Sequence, residues 1–181
     1  MKIVGGELRG RRIEVPANVT RPTSARVREA LASALESRGC LEGATVLDLF
    51  AGSGALAFEA LSRGATHATL VDKHGGVLRT LRKNVAALGL AGRTTLKKAD
   101  AFGAPERTLS AASLVFLDPP YADAERLETV LGPLASVASG ATVVVETAKG
   151  GPTFDGFLLA SRSYEYGDTR VTIATLKDPV R

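Results

Sequence analysis

In this 181-residue sequence, residues able to do chemistry gather where apolar runs stop. Leu114 to Leu117 is wholly apolar and runs straight into Asp118-Pro119-Pro120-Tyr121. Two consecutive prolines fix φ and remove two amide donors, which leaves the Asp118 carboxylate and the turn carbonyls as rigid acceptors. Acceptors without competing donors suit an amine. An exocyclic amino group of a nucleobase could bond Asp118 and the Pro119 carbonyl while Tyr121 stacks on the base face. Pro120 is the second stiffening element of that turn.

The second stretch is Asp48-Leu49-Phe50-Ala51-Gly52-Ser53-Gly54. Glycines let a backbone turn sharply and approach a ligand closely, and the helix start that follows offers free amides. With Ala57 in its third position this stretch also meets the loose dinucleotide fingerprint, so alone it does not separate a nicotinamide enzyme from other adenosine binders. Asp72, 18 residues beyond Gly54, can accept both hydroxyls of a ribose under either reading. Asp48 discriminates better. An acid just before the glycine turn repels a pyrophosphate and attracts a cation such as a sulfonium, which favours S-adenosylmethionine over NAD. Asp100, followed by Ala101, stands where an adenine amine could find an acceptor.

These acids fall at the ends of predicted strands. Strand-like runs cover residues 44–49, 68–72, 94–98, 113–117, 141–147, 158–166 and 169–176. Helical spacing appears over residues 23–38, 55–63, 77–88 and 124–134. Strands with little polar alternation separated by helices indicate a parallel sheet covered on both faces. The last two strands, joined through Gly167 and Asp168, read as a hairpin closing the sheet antiparallel. The expected fold is α/β, a mostly parallel seven-stranded Rossmann-like sheet with an antiparallel C-terminal hairpin. Residues 1–22, with short β-prone pieces around Gly5, Gly6 and Gly10, read as a small basic β-hairpin arm. Residues 23–181 form the main domain.

Charge is concentrated in that arm. Residues 1–28 hold seven bases, Lys2, Arg9, Arg11, Arg12, Arg21, Arg26 and Arg28, against Glu7 and Glu14, or +5. The whole chain is +4, from 23 bases and 19 acids, so the remainder is −1. Such asymmetry points to a polyanion partner. A single cysteine, Cys40, excludes an internal disulfide framework, and two separated histidines do not make a usual zinc site. No apolar run approaches the roughly 20 residues that span a bilayer, and the basic start has no apolar secretory core behind it. The expectation is a cytoplasmic monomer without metal or membrane association.

Taken together, these residues resemble class I S-adenosylmethionine-dependent methyltransferases, whose amino-methylating members carry Asp/Asn-Pro-Pro-aromatic after strand four. More narrowly, the chain resembles the bacterial 16S ribosomal RNA guanine-N2 methyltransferase (RsmD) family. The resemblance is carried by Ile3-Val4-Gly5-Gly6 with Arg9-Gly10-Arg11, Arg21-Pro22-Thr23 with Arg26-Val27-Arg28-Glu29, and Asp48 to Gly54 with Glu59 to Ala65. Lys83-Asn84-Val85 and Tyr166-Gly167-Asp168-Thr169 extend it over nearly the full chain. It implies methyl transfer from S-adenosylmethionine to the exocyclic N2 of one guanine in small-subunit ribosomal RNA, with S-adenosylhomocysteine as the other product. It further implies that Asp48, Phe50, Ala51, Gly52 and Gly54 line the methionine side of the cofactor, Asp72 takes the ribose, and Asp100 with Ala101 meets adenine. Thr23 lies near the cofactor, and Asp118, Pro119, Pro120 and Tyr121 hold the base. Arg9, Arg11, Arg12, Arg21, Arg26 and Arg28 would contact RNA phosphates. Two other readings share these residues: an amino-methyltransferase acting on another RNA or on DNA adenine, and a non-catalytic RNA-binding assembly factor.

Overall fold

The structure is a computed structural model that describes residues 1–17, 23–103, 109 and 111–179. Its centre is a seven-stranded sheet: β1 (Thr45–Asp48), β2 (His67–Asp72), β3 (Thr94–Lys98), β4 (Leu114–Leu117), β5 (Thr142–Ala148), β6 (Leu158–Tyr166) and β7 (Thr169–Leu176). The strand order is β3-β2-β1-β4-β5-β7-β6. β1 to β5 run parallel, while β7 pairs antiparallel with both β5 and β6. The connection reverses direction between β1 and β4, and in open parallel sheets a ligand crevice lies outside the strand ends at such a point.

The period-two pleat distributes side chains to two cores. Val46, Leu70, Leu114, Phe116 and Val144 join one, with α1 (Ala25–Glu36), α2 (Ala55–Ser62) and α3 (Gly75–Leu88) packed over it. Leu47, Val71, Val115, Leu117, Val143 and Val145 join the other, which α4 (Glu128–Ala138) covers. Both faces being buried explains the near-continuous apolar strands. Ser24 caps α1 by accepting from the Val27 amide.

The helix expected over residues 124–134 begins and ends elsewhere. Tyr121–Leu127 forms a 3-10 turn, and the α-helix continues to Ala138 with Pro133 inside it. The Asp123 amide donates to the Pro120 carbonyl, so the tight i to i+3 pattern is set directly by the proline turn. Burial of Leu131, Leu134, Ala135 and Ala138 at helical spacing carries α4 past its proline.

The N-terminal hairpin arm is not what forms. Among the described residues, no strand forms here: one antiparallel bridge, Lys2 with Arg12, is flanked by backbone bonds of Ile3 with Gly10 and Arg11 and of Met1 with Ile13, and the ladder goes no further. The segment between bends back onto the body, where other acceptors take the amides a hairpin would have paired. Glu59 accepts from Val4 and Gly5, and Ser62 accepts from Glu7 and Leu8. A Cβ on Gly6, whose φ is 71°, would lie 1.8 Å from the Ser62 carbonyl oxygen, so only glycine permits this approach. Ile3 and Ile13 are buried in the first core.

Candidate active site

Residues at or just beyond the carboxyl ends of all five parallel strands converge on one cleft of about 560 Å³. The volume is that of a small-molecule site. Its walls include Thr23, Asp48, Phe50, Ala51, Gly52, Asp72, Asp100, Ala101, Asp118, Pro119, Pro120 and Tyr121. The glycine loop and the proline turn therefore open onto the same space, although 64 to 73 residues separate Asp118–Tyr121 from Gly54 and Asp48.

The loop after β1 is held from both sides. The Leu49 amide donates to the Phe116 carbonyl on β4 and the Ala51 amide to the Val71 carbonyl on β2. Gly52 has φ 51°, and its amide donates to Asp72 Oδ2 at 3.2 Å, while Asp72 Oδ1 accepts from the His74 amide at 2.9 Å. Asp72 thus latches the loop as well as facing the cleft, with lone pairs left for a ligand hydroxyl. Gly54, expected to touch a cofactor, does its work at the loop's exit instead. At φ 80° it caps α2, and a Cβ there would lie 2.4 Å from Phe58 and 2.8 Å from Leu81.

Asp48 is 2% exposed. Burial pushes its carboxyl up to about 7, the Phe50 amide at 3.4 Å offsets part of this, and the nearby Asp72 carboxylate adds to the rise. Asp118 is also pushed well above the carboxylate range, first by desolvation, then by Glu146 and Asp48, against the relief of a hydrogen bond from Thr23. Thr23 Oγ1 also lies 3.3 Å from Glu146 Oε2, so its single proton serves one of the two carboxyls at a time. Asp48, Asp72, Asp100, Asp118 and Glu146 make the cleft strongly acidic. A donor set this rich in carboxylates is matched by a ligand bearing positive charge, hydroxyls and an amine. S-adenosylmethionine carries all three, so the residues fit that group.

The Asp100 side of the cleft has more structure than the acid alone. Asp100 Oδ1 accepts from the Phe102 amide at 3.0 Å. The Phe102 ring lies 5.1 Å from that of Phe50, and the Arg126 guanidinium sits 4.3 Å from the Phe102 ring centre. Glu146, Phe102, His74 and Tyr166 line the cleft and were not expected from the sequence. Glu146 had a readable signal, since it is an acid near the end of a buried strand like Asp48 and Asp72. Phe102 had none, and Tyr166 had only its place in the Tyr166-Gly167-Asp168-Thr169 stretch of the resemblance.

The arginines divide. Arg9, Arg11, Arg12 and Arg26 are exposed, and Arg11 donates to the Ala87 carbonyl near the end of α3. Arg28, expected among the phosphate contacts, is buried at 3% exposure and is corrected here to a structural residue. It pairs with Glu59 at 3.5 Å and donates to the Thr23 and Lys2 carbonyls, so its charge holds the N-terminal segment against α1 and α2. Arg21 lies outside the described residues. Among the described residues no group of His, Cys, Asp and Glu could hold a metal ion, and no helix is long and apolar enough to cross a membrane.

A parallel sheet of this order, closed by an antiparallel hairpin and carrying both loops over its switch point, defines a class I methyltransferase fold. Residues 1–175 match the family described as conserved hypothetical protein 95. The chain belongs to that family, the RsmD family of S-adenosylmethionine-dependent methyltransferases. It is 32% identical over 185 residues to Bacillus subtilis (strain 168) YlbH, a protein provisionally named an rRNA methyltransferase, with 96% of this chain and 97% of that one covered. It is 41% identical over 122 residues to the ribosomal RNA small subunit methyltransferase D of Escherichia coli (strain K12), a match spanning 67% of this chain and 60% of that protein. Among solved structures, the Escherichia coli protein yhhF, provisionally named a methyltransferase, superposes with a TM-score of 0.84 at 34% identity, covering 98% of each chain.

Proposed function

We propose that this protein transfers a methyl group from S-adenosylmethionine to the exocyclic N2 of a guanine in 16S ribosomal RNA of the small subunit, giving N2-methylguanosine. The observation that carries the reading is the placement of Asp118-Pro119-Pro120-Tyr121 across one cleft from the Asp48–Gly54 loop. The names of the Escherichia coli and Bacillus subtilis relatives supply the RNA class. The protein would work in the cytoplasm, where its substrate is made.

When bound, S-adenosylmethionine supplies a methyl group already activated by its sulfonium. Asp48 and the Phe50–Gly52 backbone would hold its methionine side, Asp72 would take ribose hydroxyls, and Asp100 with Ala101 and Phe102 would receive adenine. Asp118 and the Pro119 carbonyl would accept hydrogen bonds from the two N–H groups of the target amine and turn its nitrogen toward the methyl; one of those protons is lost as S-adenosylhomocysteine leaves. An amine conjugated to a ring is a weak nucleophile, and paired acceptors favour the positive charge that develops on it during transfer. The remaining requirement is orientation at near-contact distance. Tyr121, 37% exposed, presents a ring on which the base can stack. Guanine N2 is engaged in a base pair, so the nucleotide must be unpaired or flipped out.

Exposed Arg9, Arg11, Arg12 and Arg26 supply phosphate contacts and little sequence choice. The test is incubation with labelled S-adenosylmethionine and small subunits lacking the modification, followed by nucleoside analysis. Label in N2-methylguanosine is expected. Label in N6-methyladenosine would shift the reading to another amine, and the absence of any labelled nucleoside would end it.

A further inference from the structure

The Tyr166-Gly167-Asp168-Thr169 turn has no task in the chemistry above, yet it reaches the cleft. Both Tyr166 and Thr169 line the cavity. The Tyr121 hydroxyl lies 2.5 Å from Thr169 Oγ1, a contact between residues 48 positions apart in the chain. Thr169 is buried at 8% exposure, whereas Tyr121 is 37% exposed. The ring face is therefore open to the cleft while the phenol tip is fastened to the sheet.

The two partners differ in how firmly they are held. Tyr121 begins a 3-10 turn just after two prolines, and its hydroxyl reaches outside that turn to Thr169. Thr169 sits in register with Ala148 of β5 and Tyr166 of β6. The turn beside it is secured by the Lys149 amide donating to the Asp168 carbonyl at 2.7 Å and by Lys149 pairing with Glu165 at 2.7 Å. Arg170, the next residue, donates to the Gly151 and Pro152 carbonyls. A stacking platform must be held within about half an ångström to bring a reacting nitrogen into line, and a rigid sheet terminus can do that where a loop cannot.

We propose that Thr169 is a positioning residue for methyl transfer: its hydroxyl pins Tyr121 so that the ring is preset for the target base. This rests on the assignment of Tyr121 as the base-stacking residue. If Thr169 acts only through the phenol, removing either end of the bond has the same consequence, and removing both costs no more than removing one.

The test compares Thr169→Val, Tyr121→Phe and the double variant, using unmodified small subunits, with cofactor binding followed separately by calorimetry. Each single variant is expected to lose about three- to tenfold in kcat/KM for RNA, the range of one net hydrogen bond, with cofactor affinity unchanged. The double variant should match the singles, and Thr169→Ser, which keeps the hydroxyl, should restore most of the loss. Additive losses, or equal losses in Thr169→Ser and Thr169→Val, would overturn the proposal. A readout independent of activity is the fluorine spectrum of protein labelled with 3-fluorotyrosine at its three tyrosines. The Tyr121 resonance should move in Thr169→Val and hold its place in Thr169→Ser, and an unmoved resonance refutes the pinning. A wild-type enzyme that modifies no RNA while the resonance moves as expected would instead count against the proposed function alone.

Discussion

Replacing Asp48 with asparagine should stabilise the ligand-free protein at the same time as it disables it. Burial raises the Asp48 carboxyl from 3.8 to about 7 on folding. Well below 3.8, at about pH 3 and under, both the folded and unfolded states hold the proton, and the residue costs nothing. Between 3.8 and about 7 the unfolded chain has released its proton while the folded one retains it, so stability falls as pH rises. Above about 7 both are ionised and the full cost stands. Two values about three pH units apart, at about 1.4 kcal/mol per unit, set a ceiling of about 4 kcal/mol. Water entry into the open cleft reduces this, giving an expected range of about 2 to 4 kcal/mol. Asparagine has nearly the same shape and retains an acceptor for the Phe50 amide, but it never ionises. Removing this carboxylate also eases ionisation of Asp118, which adds in the same direction. Urea unfolding of Asp48→Asn and wild type from pH 3 to pH 8 should give curves that coincide at pH 3 and diverge to about 2 to 4 kcal/mol at pH 8. A Tm rise on the order of 4–16 °C should accompany the divergence. Affinity for S-adenosylmethionine should fall on the order of tenfold or more, because a cation loses its buried counter-charge. A constant difference across the pH range, or a variant less stable at pH 8, would refute the argument.

Other substitutions probe the remaining parts. Asp118→Ala should keep cofactor binding, measured by calorimetry, and lose on the order of a hundredfold or more in kcat. Glu146→Gln removes one of the charges that holds the Asp118 proton, so the acidic limb of the kcat profile should move to lower pH, as steady-state rates from pH 5 to 9 would reveal. Neutralising Arg9, Arg11 and Arg12 together should weaken RNA binding and flatten its dependence on salt, seen by titrations at several ionic strengths. Arg28→Met should instead cost about 1 to 3 kcal/mol of stability in denaturant unfolding, because the Thr23 and Lys2 carbonyls lose their donor and Glu59 keeps only Arg63 and the Val4 and Gly5 amides.

The alternation of apolar strands and helices is a strong signal, and all seven strands lie within a residue of where periodicity puts them. Asp48, Asp72 and Asp118 were legible because each closes an apolar run, and Asp100 because it stands just after the third strand. Glu146 obeys the same rule but sits before a threonine and an alanine that continue the strand, which hid it. Phe102 and Tyr166 reach the cleft only through tertiary placement, and no local pattern distinguishes them from core aromatics. The N-terminal segment misled for a definite reason. Gly5, Gly6 and Gly10 look like hairpin glycines, but Gly5 and Gly6 allow close passage over Ser62 and Arg63. Arg28 likewise reads as one more basic residue until Glu59, 31 positions on, is brought against it.

The account stands on the donor loop and the amine-holding turn serving one reaction together. A compound joining the guanine N2 to the 5′ position of adenosine tests this directly by calorimetry. It should bind wild type at least about a hundredfold more tightly than S-adenosylhomocysteine. Asp118→Ala should erase that advantage while leaving S-adenosylhomocysteine binding intact. Equal affinity of the two compounds for the wild-type protein would contradict the claim.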